Sequence, residues 1–239
     1  MSMKLAATLK HLLWQTYFHC PRPLAKFLYS LGRSAFIADG RDPYFQQAFE
    51  KASLLGIQGD YLEFGVYKGD SFITASNLAK RYKFGNMRFF AFDCFDGVPD
   101  SEDWVKKGAY ACSEELFKKI ILQAGVDMNR TVIVKGLYND TLNEAAKTKH
   151  HLSKAAIVHI DCDLYLSTRK VLKFIESLCE DGTVIIFDDW YIYGRNNVFA
   201  MGEGKAFSEW HLRQYCHELF DFPGRSKGFV FSRRRNANS

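Results

Sequence analysis

Short runs rich in Val, Ile and Phe alternate with amphipathic stretches along most of the chain, and this alternation constrains the fold more than any other feature. Strands are predicted over 60–65 (DYLEFG), 87–93 (MRFFAFD), 131–135 (TVIVK), 155–161 (AAIVHID), 182–188 (GTVIIFD) and 227–232 (KGFVFS). Helices are predicted over 71–82, 113–123, 140–150, 166–178 and 205–218, with Ser113 as an N-cap before Glu114 and Glu115. Strands separated by helices of about 10–15 residues describe βαβ units, hence an α/β fold with a mostly parallel sheet and helices on both faces.

A parallel sheet binds its ligands beyond the carboxyl ends of its strands. Glu63 and Gly65 end the first predicted strand, Asp93 the second, and Gly136 follows the third. Asp161 and Asp163 follow the fourth, and Asp188 and Asp189 end the fifth. One acid at a strand end is an ordinary helix cap, but five converging strand ends describe a site.

The first turn reads EFGVYKGDS, residues 63–71. Its two glycines permit a sharp turn and close backbone approach. The middle position of a dinucleotide fingerprint is taken by Tyr67, whose side chain obstructs a pyrophosphate, and only Lys68 could meet a phosphate. Asp93 is placed to accept both hydroxyls of a ribose. An adenosine bearing an amino-acid tail and no phosphate is S-adenosylmethionine.

Asp161 and Asp163 are two residues apart, so an extended backbone points them the same way. Clustered carboxylates without Cys or His select a hard cation such as Mg²⁺, with Mn²⁺ and Ca²⁺ as the other fits. Three carboxylates would hold it, and the fourth would remain as general base toward a hydroxyl. His159 reads as a core histidine, and His150 and His151 as a solvated helix end.

The charge balance is lopsided. Up to residue 38 the chain carries Lys4, Lys10, Arg22, Lys26 and Arg33 and no acid. After Asp221 it carries only Arg225, Lys227 and Arg233 to Arg235. The ends are therefore +5 each and the middle −5. Residues 1–40 are expected to be a basic helical arm, ended by the turn cluster ADGRDP, and 41–239 the main domain. The arm suits packing on the acidic middle or across a homo-oligomer, and its interleaved aromatics suit a peripheral membrane contact. No nucleic-acid reader motif accompanies the basic tails. No apolar run approaches the roughly 20 residues of a membrane helix, and Lys10 and His11 cut short a secretory h-region. The six cysteines form no CxxC pair, which fits reduced thiols in a cytoplasmic protein.

GDYLEFGVYKGDSF, FAFDCFDGVPD, KGLYNDTL, IDCDLYLST and GTVIIFDDWYIYG together resemble the macrocin O-methyltransferase family, in order, from about Gly59 to about Tyr193. The resemblance implies a Rossmann-like class I methyltransferase with a seven-stranded sheet. The implied activity is S-adenosylmethionine- and Mg²⁺-dependent methylation of a hydroxyl on a sugar or other polyhydroxylated small molecule. It further implies that Asp161, Asp188 and Asp189 bind the metal and that Asp163 is the base. Around the cofactor it places Glu63, Phe64, Gly65, Val66, Tyr67, Ser71, Asp93, Cys94, Phe95, Gly136, Leu137, Tyr138 and Asp161. Cys94 stands where relatives often carry Ser, and Cys162 where Gly is usual. Residues 190–193 are expected to wall the acceptor pocket, and residues 194–215 to shape it. Two alternatives remain: a DxD glycosyltransferase reading Asp161–Asp163, and a non-catalytic cofactor-binding module.

Overall fold

Strands β1 (Asp60–Phe64), β2 (Phe89–Asp93), β3 (Thr131–Lys135), β4 (Ala155–Ile160), β5 (Cys179–Phe187), β6 (Cys216–Asp221) and β7 (Lys227–Phe231) form one sheet in the order β3-β2-β1-β4-β5-β7-β6. This is the arrangement in a computed structural model that describes residues 43–102, 104–192, 198–222 and 225–233. The first five strands are parallel, and β7 runs antiparallel to both β5 and β6. Strand order reverses between β1 and β4, and sheets of this kind bind ligands beyond the carboxyl ends at such a reversal. The basic arm expected at 1–40 lies outside the described residues.

Alternation along each strand sends neighbouring residues to opposite faces. Tyr61, Ala91, Ile157 and Ile186 join one buried cluster with α1 (Pro43–Leu54), α2 (Asp70–Arg81) and α3 (Glu114–Gln123). Leu62, Phe64, Phe92, Val158, Ile160, Ile185 and Phe187 join the other, under α6 (Tyr165–Ile175) and α7 (Gly202–Glu209). Complete burial of a Phe such as Phe64 contributes about 1.5–3 kcal/mol. A parallel sheet covered on both faces needs these continuous apolar runs.

Three elements differ from the sequence expectation. Helix α1 was not anticipated, although its Tyr44, Phe45, Ala48, Phe49 and Ala52 are the buried stripe of an amphipathic helix. The helix expected over 140–150 is two short pieces, α4 (Tyr138–Thr141) and α5 (Glu144–Lys149), because the Asn143 side chain accepts from Ala146 N–H and starts a new helix. The helix expected over 205–218 ends at Glu209, and Cys216–Asp221 is instead the edge strand β6. Pairing with β7 overrides a helical pattern there, and Gly228 makes room for the Phe220 ring, which a Cβ would meet at 2.4 Å.

The β2–α3 connection folds back on itself through hydrogen bonds from Val98 N–H to Ala109 O and from Gly108 N–H to Val98 O, both 2.8 Å. Val98, Val105 and Leu164 form a small apolar cluster that seats this loop on the start of α6, and Glu102 accepts the Tyr165 N–H at 3.0 Å.

Candidate active site

Gly65 decides how close the strand ends come. Its φ is +87°, and a Cβ there would lie 1.8 Å from the Asp161 carbonyl oxygen. The glycine therefore serves the approach of β1 to β4, whereas the sequence suggested room for a ligand. Asp161 N–H donates to Phe64 O at 2.9 Å across the same junction. Gly69 closes the turn with φ +84° and packs against Phe117 and Ile121. Asp93 reaches over from β2: its Oδ2 accepts from Val66 N–H at 2.8 Å and its Oδ1 from Phe95 N–H at 2.7 Å. Its carboxylate thus clamps the turn after β1 to the end of β2.

Of the residues expected around the cofactor, Glu63, Phe64, Val66 and Phe95 turn their side chains into the core. Tyr67 and Leu137 are exposed, and Gly65, Ser71, Asp93, Cys94, Gly136, Tyr138 and Asp161 lie between these extremes. Cys94 Sγ donates to Gly97 O at 3.0 Å, and the Tyr138 hydroxyl to Phe92 O at 3.4 Å. Burial pushes the Tyr138 hydroxyl well above its ordinary range.

On the α1 face, a buried polar row crosses three strands. Glu63 accepts from the hydroxyls of Tyr61 and Ser71, the latter at 2.5 Å. His159 stands between Glu63, 3.7 Å from Nδ1, and Asp188, 3.6 Å from Nε2. Those contacts are ion-pair distances rather than tight hydrogen bonds. Burial opposes a charge on the imidazole, but the flanking Asp188 and Glu63 carboxylates outweigh it and raise the ring to about 10. The Tyr44 hydroxyl donates to Asp188 Oδ1 at 2.8 Å and accepts from Arg225 Nη2 at 2.5 Å.

The acidic group gathers just past the ends of β4 and β5. Carboxylate oxygens of Asp161, Asp163 and Asp189 lie within 4.8 Å of one another. Asp163 has φ +63°, so a left-handed turn, and not the strand alternation expected from sequence, brings it beside Asp161. Asp188 and Asp189 separate because consecutive residues leaving β5 alternate in direction. Asp188 is accordingly not in this group. Its Oδ1 instead accepts the Tyr44 hydroxyl. Burial raises Asp163 to about 7, opposed by a hydrogen bond with Asp189 and aided by the charges of Asp161 and Asp188; burial and then Asp163 hold Asp189 well above the carboxylate range. Crowded buried carboxylates of this kind retain protons that a divalent cation would displace, so the donor set fits a hard cation.

The structure resembles the solved structure of CalS11, a calicheamicin methyltransferase, with a TM-score of 0.64 at 22% identity over 96% of this chain and 93% of that one. It also resembles TomG of Streptomyces achromogenes, an O-methyltransferase involved in tomaymycin synthesis and solved in complex with SAM. There the TM-score is 0.53 at 14% identity, covering 80% of each chain. Both likenesses concern the fold. Residues 31–202 match the family model of macrocin-O-methyltransferase (TylF). The chain belongs to that family. A curated relative from Streptomyces olivaceus, 8-demethyl-8-(2,3-dimethoxy-alpha-L-rhamnosyl)-tetracenomycin-C 4'-O-methyltransferase, is 26% identical over 148 residues, covering 57% of this chain. The match spans about half of that relative, 55% of its length.

Residues of this macrocin-O-methyltransferase family member that sequence reasoning missed come from elements it did not resolve. Tyr44 lies on the unanticipated α1. Glu203, buried at the start of α7, accepts the Asp189 N–H through Oε2 at 3.1 Å. Tyr110, exposed at the end of the β2–α3 loop, has a hydroxyl raised first by burial and then by Asp163, Asp189 and Asp161. Its ring meets that of Tyr67 edge-on at 5.8 Å, and both tyrosines have positive φ. Trp190 and Tyr191, expected to wall an acceptor pocket, are buried instead. Trp190 packs among Phe187, Phe207 and Phe229, and the Tyr191 hydroxyl donates to Asp221 at 2.5 Å. Tyr193 lies outside the described residues.

Proposed function

We propose that this chain is an S-adenosylmethionine- and Mg²⁺-dependent O-methyltransferase acting on a hydroxyl of a sugar or glycosylated small molecule. The observation that carries the reading is the convergence of Asp161, Asp163 and Asp189 at the strand ends beside the Gly65 turn. The tetracenomycin relative methylates a rhamnosyl-bearing molecule by its name, and TomG is a SAM complex; both support the cofactor and acceptor classes.

Asp161 and Asp189 would hold the cation, with Asp188 adjoining Asp189 in the chain. A cation bound there would supply positive charge that eases deprotonation of an acceptor hydroxyl. Asp163, beside Asp161 and Asp189, would take that proton as general base. Asp93 and Gly65 fix the turn after β1, on which Tyr67 is exposed. The paired rings of Tyr67 and Tyr110 offer an apolar face to an acceptor. The glycosyltransferase alternative leaves the Glu63–Gly69 turn and Asp189 without a role, and the family assignment disfavours it.

The domain division at residue 40, homo-oligomerisation and contact of the basic arm with an anionic membrane surface belong to the same proposal. Among the described residues no helix is long and apolar enough to cross a membrane. Liposome co-sedimentation with and without residues 1–38 tests the arm.

Calorimetry with S-adenosylhomocysteine and with nucleotide sugars tests the central reading. Binding of the former alone is expected, and binding only of nucleotide sugars would overturn it. Radiolabelled methyl transfer to rhamnosyl acceptors should stop in EDTA and return with Mg²⁺.

A further inference from the structure

One buried carboxylate beside the acidic group has no role in the chemistry above. Glu203 is 1% exposed, and its Oε2 accepts the backbone N–H of Asp189. Its Oε1 is buried and has no hydrogen-bond partner. A buried carboxylate oxygen without a partner is costly. The helix that carries it is firmly seated: Ala206 and Phe207 are core residues, and Gly204 lies so close to Val198 that a Cβ would sit 2.3 Å from its carbonyl oxygen. Glu203 therefore presents a fixed acceptor to the peptide that leads out of β5.

We propose that Glu203 is a positioning residue of the cation site, gripping the Asp189 amide so that the Asp189 carboxylate faces Asp161 and Asp163. The inference rests on the cation reading given under Proposed function. Asp188 and Asp189 diverge, the first meeting Tyr44 and the second Asp161 and Asp163, and the sheet itself ends at Phe187. Beyond the last strand residue, the Glu203 contact orients the Asp189 peptide from the α7 side. Partners of this outer kind change metal affinity by about ten- to hundredfold when they are lost.

The experiment is Mn²⁺ titration of the full chain followed by electron paramagnetic resonance, with S-adenosylhomocysteine affinity measured in parallel. Glu203→Gln keeps an oxygen for the Asp189 N–H and should stay within about threefold of wild type. Glu203→Leu keeps the volume but removes the acceptor, and should weaken Mn²⁺ about tenfold or more while cofactor affinity holds within threefold. If the leucine variant does not fold, Glu203→Ala makes the same comparison. Wild-type Mn²⁺ affinity in the Leu or Ala variant overturns the inference. An equal loss in Glu203→Gln also overturns it, since charge rather than the grip would then matter. A wild-type chain that binds no Mn²⁺ is a different failure and sinks the cation reading itself.

Discussion

Tyr44 and Asp188 are 144 residues apart in the chain, and the hydroxyl of the first donates to Oδ1 of the second at 2.8 Å. The same hydroxyl accepts from Arg225, whose guanidinium lies 4.7 Å from the Tyr44 ring centre. One helix at the start of the domain thus reaches the strand end that carries the aspartate pair. Replacing Tyr44 by Phe removes the donor to Asp188 and the acceptor for Arg225. The expected loss is about 1–3 kcal/mol, read as a melting temperature lower by roughly 2–4 °C per kcal/mol.

Gly65→Ala and Gly56→Ala make a matched pair. Both glycines have positive φ, but a Cβ at Gly56 meets nothing within 4 Å, whereas at Gly65 it meets Asp161 O at 1.8 Å. Gly56→Ala should cost only the left-handed strain of about 1–2 kcal/mol. Gly65→Ala should abolish S-adenosylhomocysteine binding or soluble expression, because β1 and β4 must part. Calorimetry on both variants checks this, and equal behaviour would show that the junction tolerates opening.

Asp163→Asn and Asp189→Asn separate base from ligand. Asp163→Asn should lower turnover by about 10²–10⁴-fold, the usual worth of general acid–base catalysis, with Mn²⁺ still bound. Asp189→Asn should abolish Mg²⁺-dependent turnover and leave cofactor affinity within a few-fold. Loss of Mn²⁺ binding in Asp163→Asn would reverse the two roles.

Tyr110→Ala removes a ring from the Tyr67 pair while leaving the carboxylates in place. An aromatic contact of about 0.5–1.5 kcal/mol translates into roughly a two- to tenfold rise in acceptor KM. Tyr110→Phe should retain most of that affinity, and cofactor KM should not move in either variant. Steady-state kinetics with a rhamnosyl acceptor makes the comparison.

Cys179 and Cys216 lie far from this chemistry, and burial raises both thiols, Cys216 to about 12. At pH 8 only about one Cys216 in ten thousand is the reactive thiolate. Raising the pH increases that fraction, so labelling at Cys216 should quicken about tenfold per unit between pH 8 and 10. Peptide mapping after iodoacetamide treatment reads the rate, and a plateau below pH 9 would contradict the raised thiol.

Much of the fold was legible because each strand reports on itself. The runs FFAFD and AAIVHI are buried nearly throughout, and only a doubly covered parallel sheet asks for that. Ser113 caps α3 as its sequence signature predicted, accepting from Leu116 N–H. CHELFD reports poorly, since an edge strand half in solvent carries too few apolar residues to oppose a helical reading. The start of α1 was hidden by the turn cluster before it.

The sequence by itself determined that five strand ends would bring acids and glycines to one rim, because a parallel βαβ sheet places all those ends on the same side. Tertiary structure decided which carboxylates meet there. The chain leaving β5 turns Asp188 toward Tyr44 and His159, and Asp189 toward Asp161, Asp163 and Glu203. A left-handed residue at Asp163 and a Cβ-free contact at Gly65 complete the junction. Adjacent letters in a sequence look equivalent, but a pleated chain sends them to opposite faces, and only the packed helices determine what each one finds.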